Sequence, residues 1–236
     1  MDSYYNVKEP GSYGGVDALY RLMNSKGQKT TRKQVIDWLA QQEAYNLHKP
    51  IRRKFTRRKI FAKDIDYLWQ ADLVDMTHLA DYNQGYRYLL TIIDVFSKYA
   101  WAIPLKKKDS KTVSEAFETI FVYRKPMKLQ TDKGKEFVNV SFQKVLRDRG
   151  IQFYVSQNED IKASVVERFN RTLKTKMWKY FTHRNTYKYI DVLADMVHSY
   201  NETYHRTIGR SPASVKKEDE PVIRLKMYGP ESRPGI

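Results

Sequence analysis

The sequence predicts an α/β protein: a mixed sheet flanked by helices, preceded by a small helical domain. Three observations lead there. Apolar runs between about residues 65 and 215 follow the order βββαβαβαα, helical periodicity fills the first 48 residues, and a dense basic stretch separates the two. Strands that are first consecutive and then separated by helices call for a mixed sheet packed under helices. The expected division is a helical domain over 1–48, a basic linker over 49–64, an α/β core over 65–215 and a charged tail over 216–236.

In the first zone Val16, Leu19, Tyr20 and Met23 recur at helical spacing until Asn24, Ser25, Lys26 and Gly27 break the pattern. Thr31 with Gln34 three residues later forms a capping-box signature ahead of Val35, Trp38 and Leu39 on one face. Two short helices around a glycine-containing turn fit a helix-turn-helix, and equally a helical hairpin used for packing or assembly.

The linker, Lys49 to Lys63, holds eight cations and two aromatics in fifteen residues, Arg52, Arg53, Arg57 and Arg58 among them. Residues 1–63 carry 14 Lys/Arg against 5 Asp/Glu, so this quarter supplies +9 of the net charge of +16. A surplus of that size favours a polyanionic partner, because each phosphate neutralised releases condensed counterions. The stretch reads as a tether along DNA phosphates, as a nuclear-import signal, or as a solvated linker. No apolar run approaches the roughly 18 residues of a membrane span, and the N-terminus has no apolar signal stretch. The expectation is an intracellular protein with no membrane partner, nuclear if the host is eukaryotic. The absence of cysteine excludes disulfides and thiolate chemistry, and no two of the five histidines are closer than seven residues, so no structural zinc is expected.

In the core, YLWQADLVDM (67–76), YRYLLTIIDV (86–95) and YAWAIPL (99–105) are aromatic and β-branched runs that predict a three-stranded meander, with residues 81–85 as a hairpin turn. A helix follows over 110–123, with Val113, Ala116, Phe117 and Ile120 on one face. Then come a short strand (127–131), a helix (140–149), a strand (151–155), and two long helices near 162–181 and 187–205. The proline-containing segment after Pro212 is expected to be poorly ordered.

Position selects among the carboxylates. Asp72 lies inside the first apolar strand, where a charge must be paired or bind a metal. Asp75, three residues on, falls on the opposite face and reads as a surface acid. Asp132 follows the short strand at its carboxyl end, where open α/β sheets gather ligands. Glu167 lies in the first turns of a long helix with Arg171 and Lys174 on its face, a stripe that by itself also reads as a surface ion-pair series. Asp94 reads as a hydrogen-bonding strand end and His205 as a packed helix end.

WQADL (69–73), TDKGKEF (131–137) and VVERFNRTLK (165–174) resemble the three signature blocks of the retroviral-type integrase and transposase superfamily. With 34 residues between Asp132 and Glu167, the spacing is one short of that superfamily's D,D-35-E arrangement. HRTIGRSP (205–212) resembles the block that closes this core. The helical N-terminal zone and the wording around Glu167 look most like integrases of Polinton/Maverick DNA transposons.

The resemblance implies an RNase H-like core in which Asp72, Asp132 and Glu167 hold two Mg²⁺ ions, with Mn²⁺ as substitute. It implies trimming of DNA ends and joining of their 3′-OH to target DNA. Double-stranded DNA, as element ends and as target, would be the partner, bound by a homodimer or homotetramer. Lys162, Asn170, Arg171 and Lys174 would face the DNA backbone near the reacting end, with Gln157 and Asn158 near its bases. Two departures stand out: the chain has no N-terminal His/Cys zinc module, and the segment 156–163 lacks the usual Gly and Pro. A C-terminal DNA- or chromatin-binding module would be missing or lie elsewhere. The alternatives are an RNase H-like nuclease without joining activity and a catalytically idle, domesticated DNA-binding protein.

Overall fold

A computed structural model describes residues 2–48, 60–155 and 163–229. Arg52, Arg53, Arg57 and Arg58 of the linker, and Gln157, Asn158 and Lys162 before the long helix, lie outside the described residues.

The first zone forms three helices: α1 (Val16–Ser25), α2 (Arg32–Ala40) and a short α3 (Glu43–Leu47) that periodicity did not reveal. The capping box is made in full: Thr31 Oγ1 accepts from the Gln34 N–H at 3.2 Å, and Gln34 Oε1 accepts from the Thr31 N–H at 2.8 Å. Leu19, Leu22 and Met23 of α1 meet Val35 and Leu39 of α2 around the buried Tyr4.

These helices rest on the core. The Lys179 ammonium donates to the Tyr13 carbonyl at 3.1 Å, the Gly11 N–H donates to Thr203 Oγ1 at 2.7 Å, and the Tyr5 ring stacks on His183 with centroids 3.8 Å apart.

Five strands follow: β1 (Leu68–Asp75), β2 (Tyr88–Asp94), β3 (Ala100–Leu105), β4 (Lys128–Thr131) and β5 (Gln152–Val155). They lie in the order β3-β2-β1-β4-β5. β1, β2 and β3 form the antiparallel meander, while β4 joins β1, and β5 joins β4, in parallel. The parallel connections run through α4 (Ser110–Phe121) and α5 (Val140–Asp148), which cover one face; α6 (Ser164–Arg184) and α7 (Leu193–Glu202) cover the other.

Period-two alternation sorts the side chains between these faces. Trp69, Ala71, Leu90 and Ile92 point to α4 and α5, with Phe117, Phe142 and Leu146. Val74, Leu89 and Ile93 point to α6 and α7, with Val166, Phe169, Leu173, Met177 and Met196.

The link between β1 and β2 is longer than the expected turn. A 3-10 helix, Thr77–Tyr82, comes first, and the chain reverses at Gln84 and Gly85, whose φ values of 56° and 78° are left-handed. Asn83 inside it is fully buried: its amide donates to the Leu79 and Tyr187 carbonyls, and its Oδ1 accepts from the Tyr189 and Ile190 N–H groups. A residue that sequence assigns to a solvated turn thus ties the meander to the segment between α6 and α7.

The segment after Pro212 differs from expectation. It forms two 3-10 turns and a helix, α8 (Glu220–Tyr228), with Pro221 in the first turn, where a proline costs the helix nothing. Ile223 and Met227, one turn apart, pack on Ala62, Leu68, Val95, Phe96 and Ile208. The Tyr228 hydroxyl accepts from the Ala62 N–H at 2.9 Å, and Arg224 donates to the Lys63 carbonyl at 2.8 Å. The helix therefore straps the chain's entry into β1. Ile223→Ala should cost about 2–4 kcal/mol, the usual range for a buried aliphatic side chain, measured by urea denaturation; a loss under about 0.5 kcal/mol would show the strap to be loose.

Among the described residues no helix is long and apolar enough to cross a membrane.

Candidate active site

Asp72 sits between Gln70 and Val74 on β1, so alternation places its side chain on the α6 face. There it is half-buried. Its Oδ1 accepts from the Leu73 N–H at 2.8 Å, and its Oδ2 accepts from the Asn170 side-chain amide at 2.7 Å. Burial holds its carboxyl above the ordinary aspartate range; the neighbouring Asp132 and then Glu167 push the same way, while the Leu73 bond and Lys174 oppose them.

Asp132 is the first residue after β4 and is exposed, its Oδ1 accepting from the Gly134 N–H at 3.1 Å. Glu167 is exposed in the first turn of α6, where the positive end of the helix dipole suits a carboxylate.

What brings these elements together is a buried amide pair. Gln70 Nε2 donates to Gln130 Oε1 at 2.8 Å, and Gln70 Oε1 accepts the Val165 and Val166 N–H groups of the first turn of α6 at 3.0 and 3.2 Å. Gln70 is two residues before Asp72, Gln130 two before Asp132, and the bonded turn immediately precedes Glu167. One side chain thus links the three elements that carry the acids, and it stabilises N–H groups that a helix leaves without partners. Sequence reading passed over Gln70, although its shared parity with Asp72 places both on one face.

The Asp72 carboxyl senses Asp132 and Glu167, but among the described residues no group of three His, Cys, Asp or Glu side chains is close enough to hold one ion jointly. Like charge and the two bonds on Asp72 oppose a closer approach.

The other candidates separate clearly. Asp75 is exposed and turned away, accepting from the Thr77 N–H at 2.8 Å, a bond that holds its carboxyl below the usual range. Arg171 and Lys174 are exposed. Asn170, expected to face the DNA backbone, is instead buried and turned toward Asp72, because its position on α6 falls on the sheet side. Asp94 is sealed inside, accepting from the Ser97 hydroxyl at 2.5 Å and from Arg124 at 3.4 Å, and burial pushes its carboxyl up to about 6. Burial also pushes His205 down to about 4, leaving its imidazole neutral at pH 7.

A five-stranded mixed sheet with helices on both faces, one acid within β1 and another just after β4, gives an α/β RNase H-like fold like that of integrase catalytic cores. Residues 65–160 match the integrase core domain, and over this region the chain is similar to proteins of the retroviral-type integrase and transposase superfamily.

A transposon-derived protein of Caenorhabditis elegans is 36% identical over 139 residues, which is 58% of this chain and 48% of that protein, so the chain spans about half its relative's length. The catalytic core domain of HTLV-2 integrase, solved in complex with magnesium in a trimeric form, superposes with a TM-score of 0.53 at 21% identity, covering 64% of this chain and 97% of that one. A chain of the simian T-cell lymphotropic virus intasome, solved with the PP2A regulatory subunit B56 gamma, superposes with a TM-score of 0.59 at 16% identity over 93% of this chain and 77% of that one.

Proposed function

We propose that this chain is a DNA integrase or transposase that trims DNA ends and joins the resulting 3′-OH to target DNA, with Asp72, Asp132 and Glu167 as its catalytic acids. The observation that supports this best is the Gln70 bridge, which ties the start of α6 to β1 and β4 of the segment that matches the integrase core domain.

The donor set is all oxygen, and burial together with the neighbouring Asp132 and Glu167 disfavours a bare charge on Asp72, so the residues suit a hard divalent cation. Asp72, Asp132 and Glu167 would hold two Mg²⁺ ions, or Mn²⁺ in their place. When bound, such a pair activates an attacking oxygen and stabilises a leaving one. The chain's own residues do the rest. Asn170 orients the Asp72 carboxylate, the Gly134 N–H orients Asp132, and Gln70 presents Glu167 by fixing the start of α6. Water attacks the phosphodiester near the DNA end, and the freed 3′-OH then attacks the target strand, with no covalent protein–DNA intermediate.

Arg171 and Lys174 lie one and two turns beyond Glu167 and, with Lys162, would hold the reacting end by its phosphates. Arg52, Arg53, Arg57 and Arg58 would add affinity for any sequence. Replacing those four with Ala should lower the slope of log K against log salt by about 0.9 per lost contact, roughly 3–4 in all. An unchanged slope in a salt titration would leave the stretch a plain linker.

Insertion of paired ends needs two active sites, so the active species would be a dimer or tetramer on DNA. The intasome neighbour and the HTLV-2 core solved in trimeric and dimeric forms support oligomeric assembly in general. The transposon-derived relative supports a transposable-element source, of which the Polinton/Maverick type is the narrower reading, and a eukaryotic host would place the chain in the nucleus.

The deciding assay incubates the protein with 3′-OH oligonucleotides, supercoiled plasmid and Mn²⁺. Joined products establish the integrase, nicks alone establish the nuclease, and binding without either establishes an idle DNA-binding protein.

A further inference from the structure

On the side of α6 away from Arg171 and Lys174 lies a cavity of about 570 Å³, closed by the N-terminal glycine turn, the β2–β3 turn, the end of α7 and the Tyr228 end of α8. Its volume falls within the roughly 300–1,000 Å³ of small-molecule sites. Lys98, Arg168, Lys176, His205 and Arg206 line it, and among the described residues no aspartate or glutamate does.

Lys98 and Lys176 are only 7% and 6% exposed. Lys98 donates to the Val95 carbonyl at 2.6 Å and Lys176 to Ser199 Oγ at 2.8 Å, both neutral acceptors. Lys98 senses the Asp94 carboxylate, but that acid lies outside the cavity lining and is bonded to Ser97 and Arg124. Buried cations facing neutral partners are costly unless an opposite charge joins them. The proton balance reflects this cost: burial lowers Lys176 to about 7 and Lys98 to about 8, with Lys179 and Arg168 respectively adding to it. His205 feels Lys98, Arg168 and Arg206 together, and its Nδ1 is buried with no hydrogen-bond partner.

We propose that this cavity is a binding site for a phosphate-class anion, held by Lys98, Arg168, Lys176 and Arg206. Convergent ammonium and guanidinium donors suit the several oxygens of a phosphate or a short polyphosphate. The anion would bridge the N-terminal helices, the catalytic helix α6 and the α8 strap, the three parts that meet around it. Two sources share this chemistry, a free polyphosphate and the backbone of a nucleic-acid strand.

The test is equilibrium dialysis of the full chain with inorganic tripolyphosphate at constant ionic strength and without divalent ions, so no readout depends on strand transfer. The expected result is saturable uptake. It should persist when the four linker arginines are replaced by Ala and weaken at least about tenfold in Arg206→Ala and in Lys98→Met, while Lys144→Ala, exposed on α5, leaves it unchanged. Arg206 is exposed, so its variant decides the matter even if Lys98→Met does not fold. Uptake that does not saturate, or that is equal in Arg206→Ala and the parent, overturns the site. Where uptake is saturable, tripolyphosphate that then weakens binding of a short duplex to the linker-arginine variant assigns the anion to the nucleic-acid backbone; duplex binding that is unmoved assigns it to a free polyphosphate.

Discussion

Asp72→Asn, Asp132→Asn and Glu167→Gln are each expected to lower end trimming and strand transfer by at least about 100-fold, while DNA affinity and thermal stability stay close to those of the parent. The size follows from the ordering of metal-site effects: substitution in the outer shell of a metal site costs about 10–100-fold, and loss of an ion-holding carboxylate should exceed that. An amide is nearly the size of the carboxylate but is a poor ligand for a hard cation. Asp132 and Glu167 are exposed, so neither amide leaves a buried group without a partner. Asp72→Asn removes a charge that burial, Asp132 and Glu167 all oppose, which offsets the one acceptor lost to Leu73 or Asn170, so the fold should be kept. Asp75→Asn is the control, since Asp75 turns to Thr77, away from the other acids. Strand transfer above a few percent of the parent in any one of the three variants removes that residue from the proposed set; an inactive but folded Asp75→Asn would move the site to the other side of β1.

Gln70→Leu should produce the second large effect. Leucine fills the volume but supplies neither the acceptor for the Val165 and Val166 N–H groups nor the donor to Gln130. Each buried polar group deprived of its partner costs about 1–3 kcal/mol, so a loss of about 2–4 kcal/mol is expected in urea denaturation. Glu167 follows Val166 directly, in the same first turn of α6. Strand transfer should therefore fall about 10–100-fold under conditions where the variant is still folded, with duplex affinity unchanged. That split identifies a positioning residue, because a purely structural loss would lower binding and activity together as the folded fraction falls. Parental strand transfer in folded Gln70→Leu would show that the start of α6 is held by something else.

Much of this could be read from the residues. The strands of the meander announce themselves because β-branched and aromatic runs have few other stable uses, and Thr31 with Gln34 spells a local hydrogen-bond pattern that needs no distant partner. Asp72, Asp132 and Glu167 were selected by strand position and by motif wording. Asn83 and the segment around Ile223 were misjudged for a common reason. Turn-like and charged compositions describe local preference, whereas Tyr189, which bonds Asn83, and Ala62 and Val95, which meet the α8 helix, lie about a hundred or more positions away in the chain.

The order of strands and helices, the basic excess and the three acids in their blocks were determined by the sequence alone, since each depends on periodicity, charge or local wording. Only the tertiary structure decided that Asn170 turns inward to Asp72, that Gln70 joins β1, β4 and α6, and that Lys98 and Lys176 share a cavity without a lining carboxylate. Those relations connect residues that are tens of positions apart, and side-chain type leaves open which partner each will meet. The packing of α6 across the sheet settles it, because burying a polar group is tolerated only where a partner is already in place.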